Sequence, residues 1–331
     1  MPMSCRKVGG WLDIRFRCNG NGNRLVYRIT ERIYKVENEI VNVLISTYNG
    51  EAYIAEQIDS ILAQTYSPVR IYVRDDGSKD QTLQVLKGYG DKIKVLRGKN
   101  VGYGRSFLAL LKKAEEGSYW AFCDQDDVWE PHKLEKAVAK LRRMPKDKPC
   151  MYFHNFSITD EKLKVQSLYH NRLPGYCFSM AITECLHLGF ATVMNRELRQ
   201  LMLRADMKHI STHDWWAELI AMEFGRIYTD DYVGAKHRRI DASVSSSNLS
   251  TRIRWFKKAL KGNAEICNMT SMFLKEFGNE MKPEDRRVME WFVSDHYSLS
   301  KSLHKAFYGH RWRSSLSSEL VVRFLMLIGR I

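Results

Sequence analysis

Between residues 40 and 141 the chain repeats one pattern: a short apolar run, a polar cluster behind it, then an amphipathic helical stretch. Residues 40–45 are β-branched and apolar, lead into Ser46-Thr47-Tyr48-Asn49-Gly50, and precede a helix with Ile54, Ile58, Ile61 and Leu62 on one face. Residues 69–73 lead into Arg74-Asp75-Asp76-Gly77-Ser78 and a helix near 81–86, with another strand at 93–96. Val101-Gly102-Tyr103-Gly104-Arg105 opens a helix carrying Phe107, Leu108 and Leu111. The run 119–123 then ends in Asp124-Gln125-Asp126-Asp127, and Pro131 opens a helix through Leu134, Val138 and Leu141. Strands and helices alternating at this spacing predict an α/β fold, a mainly parallel sheet with flanking helices.

In a parallel sheet the clusters 46–49, 75–78 and 124–127 leave at one edge, where open α/β sheets bind ligands. Asp76 suits a nucleobase N–H or a ribose hydroxyl, and Tyr48 could lie against the base. The alternative for 75–78 is an ordinary Asx turn. Asp124, Asp126 and Asp127 repel one another, which a divalent cation on ligand phosphates would offset. The alternative there is a solvated loop with a helix cap.

Residues 151–154 predict a further strand, the pattern loosens through 187, and 189–195 reads as strand and turn into a helix near Arg196. Residues 211–219 read as a helix start. Asp214 is either its cap or a general base, flanked by an aromatic wall of Trp215 and Trp216 suited to stacking on a sugar. Residues 232–239 end in a basic loop, where His237 suits a metal ion already held by carboxylates. Beyond the Ser-rich 243–250, aromatic and basic residues alternate from 252 on, Trp255, Phe256 and Leu260 among them. They predict helices lying on an anionic membrane, or a helical cap on the sheet with a basic solvated face. The domains expected are a poorly ordered extension at 1–38, a sheet domain at 39–242 and a basic helical region at 243–331.

The net charge of +14 suits an anionic partner. No nucleic-acid motif appears, and acidic strand ends would repel phosphate without a metal, so nucleic acid is not the expected partner. No window approaches the roughly 18 apolar residues of a membrane span. There is no apolar signal segment. Seven cysteines without CxxC spacing argue against a zinc ribbon or disulfide scaffold and for a reducing cytosol.

Taken together, Ser46-Thr47-Tyr48-Asn49-Gly50, Asp75-Asp76-Gly77-Ser78, Asp124-Gln125-Asp126-Asp127-Val128-Trp129 and His213-Asp214-Trp215-Trp216 resemble family 2 glycosyltransferases, inverting enzymes with a Rossmann-like GT-A fold. The likeness covers about residues 40–240 and is nearest to bacterial rhamnosyltransferase-like enzymes of capsule and cell-wall polysaccharide synthesis. It implies a nucleotide-sugar donor held by Ser46, Thr47, Tyr48, Asn49 and Asp76. It also implies Mg2+ or Mn2+ on Asp126 and Asp124, with His237 as a further ligand, and Asp214 as catalytic base. Arg238-Arg239 depart from the small polar residues common there. Arg105, Arg238 or Arg239 would add charge to the diphosphate. The acceptor expected is lipid-linked or a glycan, at the cytoplasmic face of the membrane.

The residues admit two rival readings. Asp124-Gln125-Asp126-Asp127-Val128 fits a haloacid-dehalogenase phosphatase motif, but it does not end the first strand and no later acidic pair matches that fold's pattern. The other is a non-catalytic membrane-associated scaffold or nucleotide-sugar-binding protein.

Overall fold

A computed structural model describes residues 4–8, 11–15, 39–170, 175–205, 210, 212–239, 260, 264–293 and 297–331. The Ser-rich 243–250 and the aromatic pair at 255 and 256 lie outside the described residues. The chain forms two compact units, Met1–Glu39 and Ile40–Ile331. In the first, β1 (Ser4–Val8) and β2 (Trp11–Arg15) pair antiparallel as a hairpin.

The second unit is built on nine strands: β3 (Val41–Thr47), β4 (Val69–Asp75), β5 (Ile93–Arg97), β6 (Tyr119–Cys123), β7 (Val128–Trp129), β8 (Cys150–Thr159), β9 (Val165–Tyr169), β10 (Thr192–Asn195) and β11 (Arg226–Arg238). Their order is β5-β4-β3-β6-β10-β8-β11-β7, with β9 paired to β8. Strands β5, β4, β3 and β6 are mutually parallel, as are β8 and β11, while β10, β9 and β7 run antiparallel to their neighbours. The expected mainly parallel sheet is therefore present. Of its antiparallel members, β9 lies within the region where the sequence pattern loosens, β10 follows it, and β7 is the two-residue strand just after the acidic turn.

Side chains alternate across each strand, so one strand feeds two cores. Val41, Val43 and Ile45 of β3, with Tyr119, Ala121 and Cys123 of β6, face a core shared with α1 (Ile54–Leu62) and α4 (Lys133–Leu141). Leu44, Trp120 and Phe122 face the other side. There they meet α3 (Tyr103–Lys113), α6 (Arg196–Met202) and α7 (His213–Phe224). Two short helices, α2 (Thr82–Lys87) and α5 (Phe178–Thr183), complete the flanks.

The C-terminal helices α8 (Ala264–Phe277), α9 (Pro283–Glu290), α10 (Leu299–Ala306) and α11 (Leu316–Leu327) join that second core. Phe273, Phe277, Met289, Trp312 and Leu325 belong to one cluster with Trp120 and Trp216. Their buried faces thus cap the sheet, and the membrane alternative is left to the opposite, exposed faces.

Candidate active site

Thr47 stands opposite Asp75, and Ile45 opposite Cys123, so the residues following β3, β4 and β6 emerge at one edge. There they are tied together. Thr47 Oγ1 and Tyr48 N both donate to Gln125 Oε1, at 2.7 and 2.9 Å. Asp76 N donates to Thr47 O at 2.8 Å, and Asn49 N to Ser78 Oγ at 2.9 Å. A Cβ on Gly50 would stand 2.6 Å from Gln125 Oε1, so this clamp requires glycine. Ser46 Oγ donates to Ser106 Oγ at 2.7 Å, while Tyr48, Asn49 and Arg105 are exposed beside the crevice. Gln125, which bridges two strand ends, was not singled out from sequence because glutamine carries no motif signal of its own.

The two aspartates of the 75–78 turn divide their tasks. Asp75 Oδ2 accepts from Gly77 N and Ser78 N, both at 3.2 Å, which is the Asx turn. Asp76 is buried, pairs with Arg74, and accepts from Val101 N at 2.9 Å and Gly102 N at 3.1 Å. Gly102 sits at φ 83°, a conformation open to glycine at no steric cost. The Asp76 carboxylate is thus committed to the 101–102 loop, and a nucleoside would reach it by exchanging those donors.

The three acids after β6 also separate. Asp127 is fully buried, and its Oδ1 accepts from His237 Nδ1 at 2.9 Å and Arg238 N at 3.2 Å. The His237 ring stacks on Phe190 at 4.6 Å. Asp124 and Asp126 are half-buried. Burial, then the charges of Asp127, Asp126 and Asp214, push Asp124 well above the usual carboxylate range. Burial and Asp127 push Asp126 up to about 6. At His237 burial opposes the charged form, but Asp127, through charge and hydrogen bond, raises the pKa above its ordinary value. Beneath them Lys133 is buried, donates to Phe190 O at 2.6 Å, lies 3.4 Å over the Trp129 ring, and is lowered to about 7 by burial.

A basic loop was expected at 238–239, but β11 extends through Arg238 because its residues pair with β8 as far as Thr159. The Arg238 guanidinium lies over Tyr53 at 4.6 Å, pairs with Glu56, and donates through Nε to Asp126 O at 2.9 Å. It braces the acidic turn from behind, which corrects the expectation that it adds charge to a diphosphate.

Among the described residues, no three His, Cys, Asp or Glu side chains converge in a geometry that holds a metal ion. The donor chemistry of Asp124 and Asp126 nevertheless fits a divalent cation: they are crowded carboxylates whose charged forms are disfavoured by burial and by the neighbouring Asp127, a penalty that a cation relieves. His237 is presented with its Nδ1 fixed by a carboxylate, the arrangement that orients metal-binding imidazoles.

Asp214 lies in the first turn of α7, half-buried. Its Oδ1 accepts from Trp215 N at 2.9 Å and its Oδ2 from Gly189 N at 3.4 Å. One turn on, the buried Glu218 accepts from Leu186 N and His187 N at 3.0 and 3.1 Å and from Tyr176. Together they hold the segment 186–189 against the helix. His213 is buried between Phe107, at 4.2 Å, and Phe122, at 4.4 Å, and burial lowers it to about 4. The exposed Tyr103 lies edge-on to His213, at 6.3 Å between centroids. Burial of the phenol, then the charges of Asp214 and Asp124, raise its pKa, so it feels both acids. Its position directly behind Gly102 was the sequence signal that could have marked it.

The aromatic wall is corrected. Trp216 is fully buried, donates to Met202 O at 3.3 Å and packs edge-on against Phe273 at 5.4 Å. Trp215 is largely buried and donates to Ala181 O at 2.6 Å. Helix α7 is covered on this side by α5, α6 and α8, so these indoles have become core and present no open face to a sugar.

Comparison with known proteins supplies the family. The profile of glycosyl transferase family 2 matches residues 42–204. An uncharacterized glycosyltransferase of Rickettsia prowazekii is 35% identical over 267 residues, covering 78% of this chain and 79% of the relative. A second, from Rickettsia typhi, is 28% identical over 222 residues, covering 64% and 67%. Among solved structures, S. aureus TarS 1-349 in complex with UDP-GlcNAc superposes with a TM-score of 0.55 at 19% identity, covering 82% of this chain and 76% of that one, a likeness of fold. The order of strand-end motifs, the GT-A arrangement of the sheet and the likeness through most of its length converge: the chain belongs to glycosyltransferase family 2.

Proposed function

We propose that this glycosyltransferase moves a sugar, with inversion, from a nucleotide-diphosphate donor, dTDP-rhamnose or a UDP-sugar, to a lipid-linked or polysaccharide acceptor in cell-surface glycan synthesis. The work would be done at the cytoplasmic face of the membrane. The observation that supports this most is electrostatic. Asp214, at the start of α7, is among the charges that push the Asp124 carboxyl up, so a candidate base and a cation-seeking acid act on one another across one crevice.

In this reading Thr47, Tyr48 and Asp76 hold the nucleoside, with Ser46, Asn49 and Arg105 beside it. Asp124 and Asp126 hold Mg2+ or Mn2+, and His237, oriented by Asp127, is the further donor. Bound there, the cation would stabilise charge developing on the leaving diphosphate. Asp214 takes the proton from the acceptor hydroxyl while that oxygen bonds to the anomeric carbon and the bond to the diphosphate breaks. Attack from the face opposite the leaving group inverts the centre, so one base suffices.

The test is a donor screen by calorimetry with UDP-, dTDP- and GDP-sugars, each with Mn2+ and with EDTA. Metal-dependent binding of one nucleotide class is the expected result and names the nucleoside. Silence toward every donor, with folding intact, would turn the assignment toward a non-catalytic scaffold.

A further inference from the structure

Helices α10 and α11 pack side by side, and both turn buried residues, Ala306, Val322, Leu325 and Met326 among them, into the second core. Their opposite faces are apolar and exposed. On α11, Leu316, Leu320, Phe324 and Leu327 recur three or four residues apart, the spacing of a single helical face. On α10, Leu299 and Leu303 do the same, and Phe307 follows at its end. Phe307 is 75% exposed, Leu316 74% and Leu320 71%, far more than a core helix leaves to water. Apolar side chains this exposed along two adjoining helices mark an interaction surface.

The charges beside it choose the partner. Glu319 is the one acidic residue between 297 and 331, and it is buried, bonded to Trp312 N and Arg323. Arg311 and Arg330 are exposed and carry permanent positive charge. A second copy meeting this face by two-fold symmetry would bring like charges together with no exposed carboxylate on α10 or α11 to answer them. An anionic lipid surface supplies both complements, acyl chains for the apolar ridge and headgroup charge for the cations.

We propose that the exposed faces of α10 and α11 are a monotopic docking surface for an anionic bilayer. The ridge of Phe307, Leu316, Leu320 and Phe324 enters the headgroup–acyl boundary, and the catalytic unit stays in water. This goes beyond the proposed transfer reaction and is tested without donor or acceptor, so either can fail alone.

The experiment is co-sedimentation of the full chain with phosphatidylcholine vesicles, with and without phosphatidylglycerol. It compares wild type with the double variant Phe307→Ser, Leu320→Ser. Truncation is avoided because α8–α11 share the sheet's core. Both substituted side chains are already in water, so thermal unfolding should be unchanged and is measured as the control. The expected result is binding that needs phosphatidylglycerol, weakens with salt, and falls at least about tenfold in the variant. Wild type that ignores anionic vesicles, or a folded variant that binds as wild type does, overturns the proposal. So does a concentration-dependent dimer in sedimentation velocity that the variant abolishes, since a second copy would then cover the face.

Discussion

Replacing Asp214 by asparagine separates the proposed base from every other part of the site. Asparagine has the same shape, and its Oδ1 can still accept from Trp215 N at 2.9 Å. Its amide nitrogen would face Gly189 N, where Oδ2 accepts at 3.4 Å, so one long hydrogen bond is lost at about 0.5–1 kcal/mol. Folding should change by no more than that. An amide cannot take the acceptor's proton, and positioned general bases contribute about 10²–10⁴ in rate, which is about 2.7–5.4 kcal/mol of barrier. The effect on Asp124 has the opposite sign. Removing the Asp214 charge relieves one of the repulsions that raise its pKa, so metal-dependent donor binding should hold or tighten. Calorimetric donor titration in Mn2+ and initial rates of sugar transfer read the two effects separately. A folded Asn variant that transfers sugar at close to the wild-type rate would refute Asp214 as the base.

Other expectations follow from the same geometry. Asp126→Ala should weaken donor binding in Mn2+ while leaving the small affinity measured in EDTA unchanged; equal loss in both conditions would point to nucleotide contact rather than cation holding. Trp216→Ala should cost about 3–5 kcal/mol in urea unfolding, because a fully buried indole leaves a cavity among Phe273 and Phe277. A cost below about 1 kcal/mol would mean the indole is not core. Burial holds His213 neutral by lowering its pKa from 6.5 to about 4, so its contribution to stability is present above pH 6.5 and lost as pH falls toward 4. His213→Phe removes that dependence, and its stability relative to wild type should rise by about 1.4 kcal/mol per pH unit across that window. A pH-independent difference between the two proteins would show that His213 is protonated in the fold.

The strands and helices between 40 and 141 were legible because each carries its own period and each polar cluster follows its strand directly. A parallel sheet then leaves only one edge for those clusters, so the crevice of Thr47, Asp76, Asp124 and Asp126 was determined by local pattern plus chain direction. What the sequence could not decide was which side of a residue would be covered. Trp216 reads as a sugar platform until α8, some fifty residues further on, seals it into the core. Asp76 and Asp127 look like free carboxylates until Val101, Gly102 and His237 supply their donors from distant segments. The same holds for α11, whose apolar residues face both inward and outward, and for Arg238, which β11 turns from a loop cation into a brace. Periodicity along the chain marks secondary structure and direction. Burial and hydrogen-bond partners belong to pairs of residues far apart in sequence, and only the tertiary fold assigns them.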